Sequence, residues 1–376
     1  RQRQMCIRDR AWAYYSSAAD DLETYHENRA VFRRIWLRPR ILRNVRYVDP
    51  STKILGIPSA LPFYITATAL GRMGHPDGEL NLTRAAAKTG LIQMIPTLSS
   101  VSFDEIIDAR NQEGGPAQFF QLYVSTDRNV VANMLRRAEE TNVKAIFVTV
   151  DAPQLGRREQ DMRMHFVDEG SNVQGGHVEK RDEGAARAIT SFIDPSFDWD
   201  DVLWMKRQTR LPILLKGVQT WEDAVQAYEM GLAGVVLSNH GGRQLDFARS
   251  GVEVLEEVMR ELRKRGSFPN PAFQVMVDGG FRRGTDILKA LAMGATAVGI
   301  GRPFLYAYSA YGVDGVIHAI NLLRDELEMN MRLIGARSIE ELVPSMVDLS
   351  ALHNHTGAVF PKQDQSVLDF MDKSRL

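Results

Sequence analysis

Short apolar segments alternate with longer segments of helical periodicity from about residue 61 onwards. The short segments are rich in Val, Ile, Leu and Phe, which is typical of parallel strands buried on both faces. Strands are predicted at residues 63–67, 91–95, 118–122, 145–150, 212–215, 234–237, 273–277 and 297–300. Helices are predicted after them at residues 79–89, 103–110, 129–141, 199–207, 221–230, 252–263, 285–293 and 314–333. Eight strand–helix units over about 250 residues indicate an α/β fold, a (β/α)8 TIM barrel.

A doubly wound open sheet is the competing fold, and the turn after the first strand argues against it. Such sheets place a glycine-rich phosphate turn at this point. This chain has Thr66, Ala67, Thr68 and Ala69 there instead. We therefore expect a closed barrel.

Three segments divide the chain. Residues 1–10 are Arg-rich and aperiodic, so we treat them as an atypical N-terminal segment: a targeting remnant, a linker end, or a scar of cloning or assembly. Because the chain does not begin with Met, we expect a fragment. Residues 11–349 form the predicted barrel domain, which begins with a helical segment that includes a helix and turn over residues 32–42, around Pro39. Residues 350–376 form a C-terminal tail.

Two of the remaining segments are polar. Residues 168–186, after the fourth strand, contain almost no apolar side chains, and connections of this length are usually lids or disordered. We expect a long mobile loop over the active face. The tail carries His353 and His355, whose spacing is a poor metal signature, so we predict no metal and a solvated or subunit-wrapping tail.

Composition excludes several classes of function. The formal net charge of -1 and the pI near 6.8 give no basic footprint for nucleic acid. All apolar runs fall short of the roughly 20 residues that a membrane helix needs, so no membrane span is predicted. Cys6 is the single cysteine, which rules out an internal disulfide.

Polar residues follow six of the predicted strands at their carboxyl ends. They are Tyr123, Asp151, Lys216 and the residues in segments 238–243, 278–280 and 299–302. The carboxyl ends of barrel strands meet on one face, where the active sites of such barrels lie. We therefore expect these side chains to surround one site.

The segment after the sixth strand carries its own chemical signal, Ser-Asn-His-Gly-Gly-Arg-Gln at residues 238–244. A turn would need only the two glycines. His240 can take a proton near neutral pH, and Arg243 can hold a carboxylate through two parallel hydrogen bonds. Together they predict a site that holds a small acid and moves a proton.

Glycines after the seventh and eighth strands predict a phosphate site, because backbone N–H groups and a helix N-terminus can approach an anion there. Arg282 and Arg302 would supply positive charge. Lys216 at the barrel mouth can stabilise negative charge on a bound ring. Pyridoxal phosphate would use this lysine as a Schiff base, and a flavin would use it to stabilise the anionic reduced ring. The residues alone leave both cofactors open.

Several motifs resemble those of the FMN-dependent L-2-hydroxy acid dehydrogenase/oxidase family. They are Tyr14-Tyr15-Ser16-Ser17, Phe120-Gln121-Leu122-Tyr123, Thr149-Val150-Asp151-Ala152-Pro153, Leu155-Gly156-Arg157-Arg158, Lys216-Gly217-Val218, the 238–244 segment and Asp278-Gly279-Gly280. The resemblance runs from about Ala11 to Leu349. Within the family, the chain looks most like the flavin domain of cytochrome-type L-lactate dehydrogenases.

The resemblance implies FMN as the cofactor and a role for each site residue. His240 would be the base and Asp151 its partner, with Tyr123 on the substrate hydroxyl and Arg243 on the carboxylate. Tyr14 and a movable Arg158 would also bind substrate, and Leu98 and Ala69 would form a small apolar pocket suited to a lactate methyl. FMN would contact Thr68, Gln121, Thr149, Lys216, Ser238, Asp278, Gly280, Arg282, Gly301 and Arg302. Pro96 departs from the family pattern, because relatives often place a flavin-bonding Ser there.

The implied function is oxidation of an L-2-hydroxy acid, L-lactate to pyruvate, with electrons passed to a cytochrome. An (S)-2-hydroxy acid oxidase using oxygen is the first alternative. A non-redox phosphate-ligand binding barrel and a Lys216 Schiff-base enzyme are the others. Haem is expected only with a missing upstream domain, in which case a haem domain or cytochrome c accepts the electrons. The resemblance also implies a homotetramer, in the mitochondrial intermembrane space for a flavocytochrome fragment and otherwise in the cytoplasm or peroxisome.

Overall fold

The structure, a computed structural model, describes residues 9–163 and 192–357. Its centre is an eight-stranded parallel sheet rolled into a barrel. The barrel strands, β1 to β8, are Phe63–Ile65, Met94–Pro96, Phe119–Leu122, Ile146–Thr149, Ile213–Val218, Gly234–Leu237, Gln274–Asp278 and Ala297–Ile300. The helices after them, α1 to α8, are Leu80–Thr89, Phe103–Gln112, Arg128–Glu140, Trp199–Gln208, Trp221–Glu229, Gly251–Lys264, Gly284–Met293 and Arg302–Ile334. The predicted (β/α)8 barrel is confirmed.

Apolar side chains fill the barrel in two layers. Inside it, aromatic rings pack edge-to-face or tilted, with the ring centroids of Phe119 and Phe147 5.0 Å apart and Tyr64 beside both. A hairpin of strands Thr52–Ile54 and Ile57–Ser59 adds Ile54 to this layer. The other layer lies between the strands and the helices. Because the interior is packed, a ligand site has to lie on the carboxyl-end face.

The seam between β1 and β2 is the thinnest part of the sheet. β8 pairs with β1 over three residues, but β1 meets β2 through one isolated bridge between Ile65 and Gln93. The Ile65 N–H donates to the Ile92 carbonyl at 3.0 Å. Poor backbone pairing at this point requires other contacts to hold the two strand ends together.

The buried carboxylate of Glu79 supplies those contacts. It accepts hydrogen bonds from the N–H groups of Gly71, Ser100 and Val101 at 2.8, 3.0 and 3.2 Å, and from the Ser100 hydroxyl at 2.7 Å. Gly71 follows β1, whereas Ser100 and Val101 follow β2. The Glu79 side chain therefore links the loops that follow β1 and β2 at the carboxyl-end face of the barrel.

One sequence prediction outside the strands was wrong, and another was incomplete. The helix expected over 32–42 is replaced by helix Glu23–Ala30, a 3-10 turn Val31–Arg34 and a strand Trp36–Leu37 that pairs with Val347–Asp348. Pro39 lacks the N–H that a continuing helix needs. The helix predicted at residues 314–333 is the second part of α8, and the prediction missed the first part, which runs from Arg302 to a kink at Tyr311 and Gly312.

The rest of the described chain adds three short helices, Asp9–Ser16, Glu159–Met162 and Ser350–Gly357. The last docks on α6, where His353 lies 3.1 Å from Glu256 and His355 lies 2.8 Å from Glu253. The expected mobile loop at 168–186, residues 1–8 and the tail beyond 357 fall outside the described residues. Within the described ranges, none of the helices is both long and apolar enough to cross a bilayer.

Replacing Glu79 by Ala should destabilise the barrel strongly. Three buried N–H groups and a hydroxyl would lose their acceptor, so we expect the free energy of unfolding to fall by about 3–5 kcal/mol. Urea denaturation at matched FMN saturation measures this. Glu113→Ala, which removes an exposed carboxylate, is the control and should change stability by at most about 0.5 kcal/mol. Equal stability of the two variants would contradict the role given to Glu79.

Candidate active site

One open cleft lies at the carboxyl ends of the strands and, with the solvent at its mouth, encloses about 1210 Å³. Of the residues predicted for the site, those that line it are Tyr14, Thr68, Ala69, Leu98, Gln121, Tyr123, Thr149, Arg158, Lys216, His240, Arg243, Asp278, Gly280, Arg282, Gly301 and Arg302. Asp151 and Ser238 lie behind this lining, where they contact residues that reach the cleft. The structure therefore brings the whole predicted set together.

His240 is aimed by an unusual backbone at the end of β6. His240, Gly241 and Gly242 have φ values of 57°, 65° and 79°, three successive left-handed residues. A histidine tolerates this conformation at a cost of about 1–3 kcal/mol, and strain of this kind concentrates at functional sites. The His240 N–H donates to the Ser238 hydroxyl at 3.0 Å, which fixes the start of the turn. The two glycines allow the chain to reverse while the imidazole faces the cleft.

The imidazole meets a buried carboxylate from another strand. His240 Nδ1 lies 3.0 Å from Asp151 Oδ1, and Asp151 follows β4. Strand β5 runs between β4 and β6, so the contact has to cross above it. Gly217 makes room: its φ is +113°, and a Cβ there would lie 2.5 Å from Asp151 Cβ. The β5–β6 pairing shifts register at this same point, between Lys216 and Val218.

The electrostatics of this pair favour a neutral base. Burial is the largest influence on His240 and lowers its pKa below the ordinary value, although Asp151 pulls it upward. Burial alone would raise the pKa of Asp151, but His240 and Lys216 outweigh it and lower that pKa. An ionised carboxylate can only accept, so the proton of the imidazole lies on Nδ1. Nε2 keeps its lone pair and lies 3.4 Å from the Tyr123 hydroxyl.

Two arginines stand beside this base. Arg243 donates from Nη1 to the carbonyls of Tyr14 and Ser17 at 2.7 and 3.3 Å, and its guanidinium lies 4.8 Å from the centre of the Tyr14 ring. Arg158 is buried, and burial followed by repulsion from Arg243 lowers its pKa to about 10. Neither guanidinium makes a close ion pair with a carboxylate among the described residues, and the buried Asp161 attracts both only from a longer distance. Both are therefore available to a carboxylate ligand.

A third arginine, Arg302, lies in the same cleft next to Arg243. Arg302 donates to the carbonyls of Gly241 and Ser17 at 2.8 and 3.3 Å, and burial followed by Arg243 lowers its pKa to about 10. Arg302 begins helix α8, and Gly280, with φ of +85°, follows β7. A Cβ on Gly280 would lie 1.8 Å from the Asn28 carbonyl, so only glycine fits. Helix N-terminus, glycine backbone and Arg302 together suit a phosphate group.

Lys216 is held in its charged form. Its Nζ lies 3.4 Å from Asp278 Oδ2 and 3.3 Å from the Ser238 hydroxyl, which itself donates to Asp278 Oδ1 at 2.5 Å. Burial would lower the pKa of Lys216, but Asp278 and Asp151 outweigh burial and raise it. A Schiff-base lysine needs the opposite, a neutral amine at neutral pH. The ammonium instead suits a ring that gains negative charge.

The remaining cleft residues fit a flavin. Gln121 donates to the Thr149 hydroxyl at 2.9 Å and accepts from the Thr97 N–H at 3.1 Å, which orients both side chains at the cleft wall. The hydroxyl of Thr68 is buried at the cleft with no partner among the described residues. Buried polar groups without partners point to a polar ligand. These polar groups and Lys216 suit the ring of FMN, and Arg302 with the helix N-terminus suits its phosphate.

A cluster of apolar side chains lines the cleft beside Tyr123. Leu98 packs with Tyr123 and Ala152, and Ala69 and Leu155 border the same cluster. Pro96, the last residue of β2, also lines the cleft and offers no side-chain hydrogen bond. The predicted small apolar pocket of Leu98 and Ala69 therefore exists beside the base.

Sequence reasoning missed residues that support the site from a distance. Asn28, in helix Glu23–Ala30, exchanges two 2.9 Å hydrogen bonds with Asn239, next to His240. Tyr25 of the same helix stacks under Arg302, whose guanidinium is 4.8 Å from the ring centre. Asp246 accepts the N–H groups of Asp21, Glu23 and Thr24 and so caps that helix. In the sequence, only the polar composition of this helix could have drawn attention to it. The burial of Asn28 becomes visible only in the structure.

Known proteins are similar to this chain in sequence. The family model for the FMN-dependent dehydrogenases matches residues 3–349. The L-lactate dehydrogenase (cytochrome) of Wickerhamomyces anomalus is 53% identical over 345 residues, which cover 92% of this chain and 59% of the relative. Glycolate oxidase 3 of Arabidopsis thaliana is 44% identical over 337 residues, which cover 88% of this chain and 89% of the relative.

A solved structure agrees with both the fold and the cofactor. The recombinant flavin-binding domain of baker's yeast flavocytochrome b2 matches with a TM-score of 0.84 and 47% identity, covering 96% of this chain and 87% of that chain. The chain spans about three-fifths of the length of the lactate dehydrogenase relative, 59%. The family match favours FMN over pyridoxal phosphate as the cofactor. The chain belongs to the FMN-dependent dehydrogenase family.

Proposed function

We propose that the protein oxidises an L-2-hydroxy acid, L-lactate to pyruvate, with FMN as the immediate electron acceptor. The observation that carries this proposal is the position of the neutral His240 base beside the buried Arg158 and the half-buried Arg243, neither of which has a carboxylate ion-pair partner in the described chain. A base with two neighbouring guanidiniums suits a substrate that has a carboxylate next to an acidic hydrogen. The similarity to the L-lactate dehydrogenase (cytochrome) of Wickerhamomyces anomalus supports lactate.

The substrate would be held by its carboxylate. Arg243 and Arg158 would donate to the two oxygens, and Tyr14, whose ring lies against Arg243, would complete the contact. The methyl group of lactate would lie on Leu98 and Ala69, and the Tyr123 hydroxyl would bond the substrate hydroxyl. This arrangement turns the H–C–O–H group of the substrate toward His240 Nε2, because Tyr123 and Nε2 are neighbours.

Oxidation removes two electrons and two protons from the substrate, and His240 Nε2 would accept one of those protons. The Asp151 carboxylate, 3.0 Å from Nδ1, would stabilise the imidazolium that results. FMN, when bound, supplies the site that takes up the electron pair. Gly280, Arg282, Gly301 and Arg302 would hold its phosphate. Thr68, Gln121, Thr149 and Lys216 would hold its ring, while Ser238 and Asp278 would position Lys216.

We propose a cytochrome as the next electron acceptor, either cytochrome c or a haem domain. The similarity to the L-lactate dehydrogenase (cytochrome) of Wickerhamomyces anomalus supports this choice. Oxygen is the alternative, since Glycolate oxidase 3 of Arabidopsis thaliana is 44% identical. Turnover with a one-electron acceptor, compared with peroxide yield in air, separates the two. A homotetramer also remains a proposal that the family resemblance supports.

Replacing His240 by Gln should abolish the reaction and keep the cofactor. Without the base, we expect the rate of anaerobic flavin bleaching by L-lactate to fall about 10²- to 10⁴-fold. FMN should stay bound, because most of its proposed contacts lie on other strands. Stopped-flow absorbance of the flavin measures the rate.

His26→Gln, an exposed histidine of helix Glu23–Ala30, is the matched control and should bleach like the wild type. Wild-type protein that keeps FMN and is not bleached by any L-2-hydroxy acid would refute the proposed function. Undiminished bleaching of His240→Gln would refute the role of the base.

Enlarging the apolar pocket should change the substrate preference. Leu98→Ala removes a buried side chain next to the proposed methyl site, so we expect kcat/KM for L-2-hydroxyhexanoate relative to L-lactate to rise about 10-fold. Steady-state kinetics with both acids measures this ratio. Leu322→Ala, at an exposed position on α8, should leave the ratio at the wild-type value. An unchanged ratio for Leu98→Ala would place the substrate side chain elsewhere.

A further inference from the structure

Gln244 has a contact pattern that the proposed mechanism does not use. It follows Arg243 in the loop after β6, and its side chain is buried. Its amide nitrogen donates to the carbonyls of Asp151 and Gln154 at 2.8 and 3.0 Å. Its amide oxygen accepts from the Gly156 N–H at 3.2 Å and lies 3.5 Å from Arg158 Nη2. These four contacts use the full hydrogen-bonding capacity of a primary amide.

All four contacts reach one other loop. Asp151, Gln154, Gly156 and Arg158 belong to the loop that follows β4, whereas Gln244 belongs to the loop that follows β6. The two backbones touch as well, since a Cβ on Gly156 would lie 2.4 Å from the Arg243 carbonyl oxygen. The two loops therefore form one unit, with the Gln244 amide at its centre.

This unit contains both the carboxylate that supports the base and the arginine that would bind the substrate. Asp151 orients His240, and the Gln244 amide holds the backbone of Asp151. Arg158 has a buried Nε without a partner in the described chain, and its Nη2 contacts the same amide. A shift of the amide would move the carboxylate behind the base and the cation on the substrate together.

We propose that Gln244 is a positioning residue that couples the proton-accepting pair His240–Asp151 to the substrate-binding Arg158. This inference rests on the proposed function for the roles of His240 and Arg158. It predicts that losing one amide changes both the rate of proton transfer and the binding of the substrate carboxylate. A residue that only stabilised the loop would change neither quantity in the folded holoenzyme.

Gln244→Met tests the inference, because methionine has nearly the same length and no amide. Gln154→Met is the matched control, since the Gln154 side chain is exposed and only its carbonyl contacts Gln244. We expect the limiting rate of flavin reduction by L-lactate to fall about 10- to 100-fold in Gln244→Met, and KM to rise several-fold. The control should keep both wild-type values. Gln244→Met with wild-type rate and KM would overturn the inference.

A second measurement does not need turnover. The midpoint of the His240 imidazole can be followed by NMR of the histidine-labelled holoenzyme, with the resonance assigned by its loss in His240→Gln. Asp151 raises the pKa of His240, so a loosened Asp151 should lower the midpoint in Gln244→Met. An unchanged midpoint together with a lower melting temperature would show a purely structural role and overturn the inference.

A double-mutant cycle tests the route of the effect. If Gln244 acts through Asp151, the rate losses of Gln244→Met and Asp151→Asn should combine to less than their product. Fully multiplicative losses would contradict that route. If Gln244→Met fails to fold, Gln244→Asn, whose amide is one methylene short, gives the same readouts. A wild type that no 2-hydroxy acid bleaches would refute the proposed function, while the NMR midpoints would still decide the role of Gln244.

Discussion

The contact between His240 Nδ1 and Asp151 Oδ1, at 3.0 Å, joins the ends of two strands that are not neighbours. It is possible because strand β5, which lies between them, has Gly217 and a register shift at the crossing point. The left-handed turn at residues 240–242 then presents the imidazole to the cleft. Helix Glu23–Ala30 and Gln244 hold the two loops from outside. The local irregularities of the barrel are thus explained by the need to bring one imidazole and one carboxylate together.

Buried positive charge is the second constraint. Arg158, Arg243 and Arg302 converge on the cleft, and burial together with mutual repulsion lowers the pKa values of Arg158 and Arg302 to about 10. Lys216, in contrast, is paired with Asp278. Burying unpaired cations is costly, so a fold that keeps them near one cleft is adapted to anionic ligands. Arg158 and Arg243 stand beside the base, which suits a carboxylate substrate. Arg302 shares the Ser17 carbonyl with Arg243 and stands at the start of α8, which suits a phosphate-bearing cofactor.

Much of this architecture was predictable from the sequence for physical reasons. Strands buried on both faces give continuous apolar runs, and the carboxyl-end rule then places Tyr123, Lys216, His240 and their neighbours on one face. The first helical segment and the start of α8 were not predictable, because a brief break at Tyr311 and Gly312 looks like a turn in the sequence. The contacts of Asn28 with Asn239, 211 residues away, and of Gln244 with the loop after β4 depend on side-chain geometry that local periodicity does not encode.

The central claim is that His240, kept neutral by burial and oriented by Asp151, is the base of the reaction. The most direct test is the pH dependence of the second-order rate constant for anaerobic flavin reduction at low L-lactate concentration, which reports the substrate-free protein, in the wild type and in Asp151→Asn. The base form exists above its pKa, and that pKa is lowered, so the wild-type rate should rise with pH to a plateau with a midpoint below about 6.5. Asp151→Asn should lower the plateau about 10²- to 10⁴-fold. A wild-type rate that falls as pH rises from 5 to 8, or an Asp151→Asn plateau equal to that of the wild type, would contradict the claim.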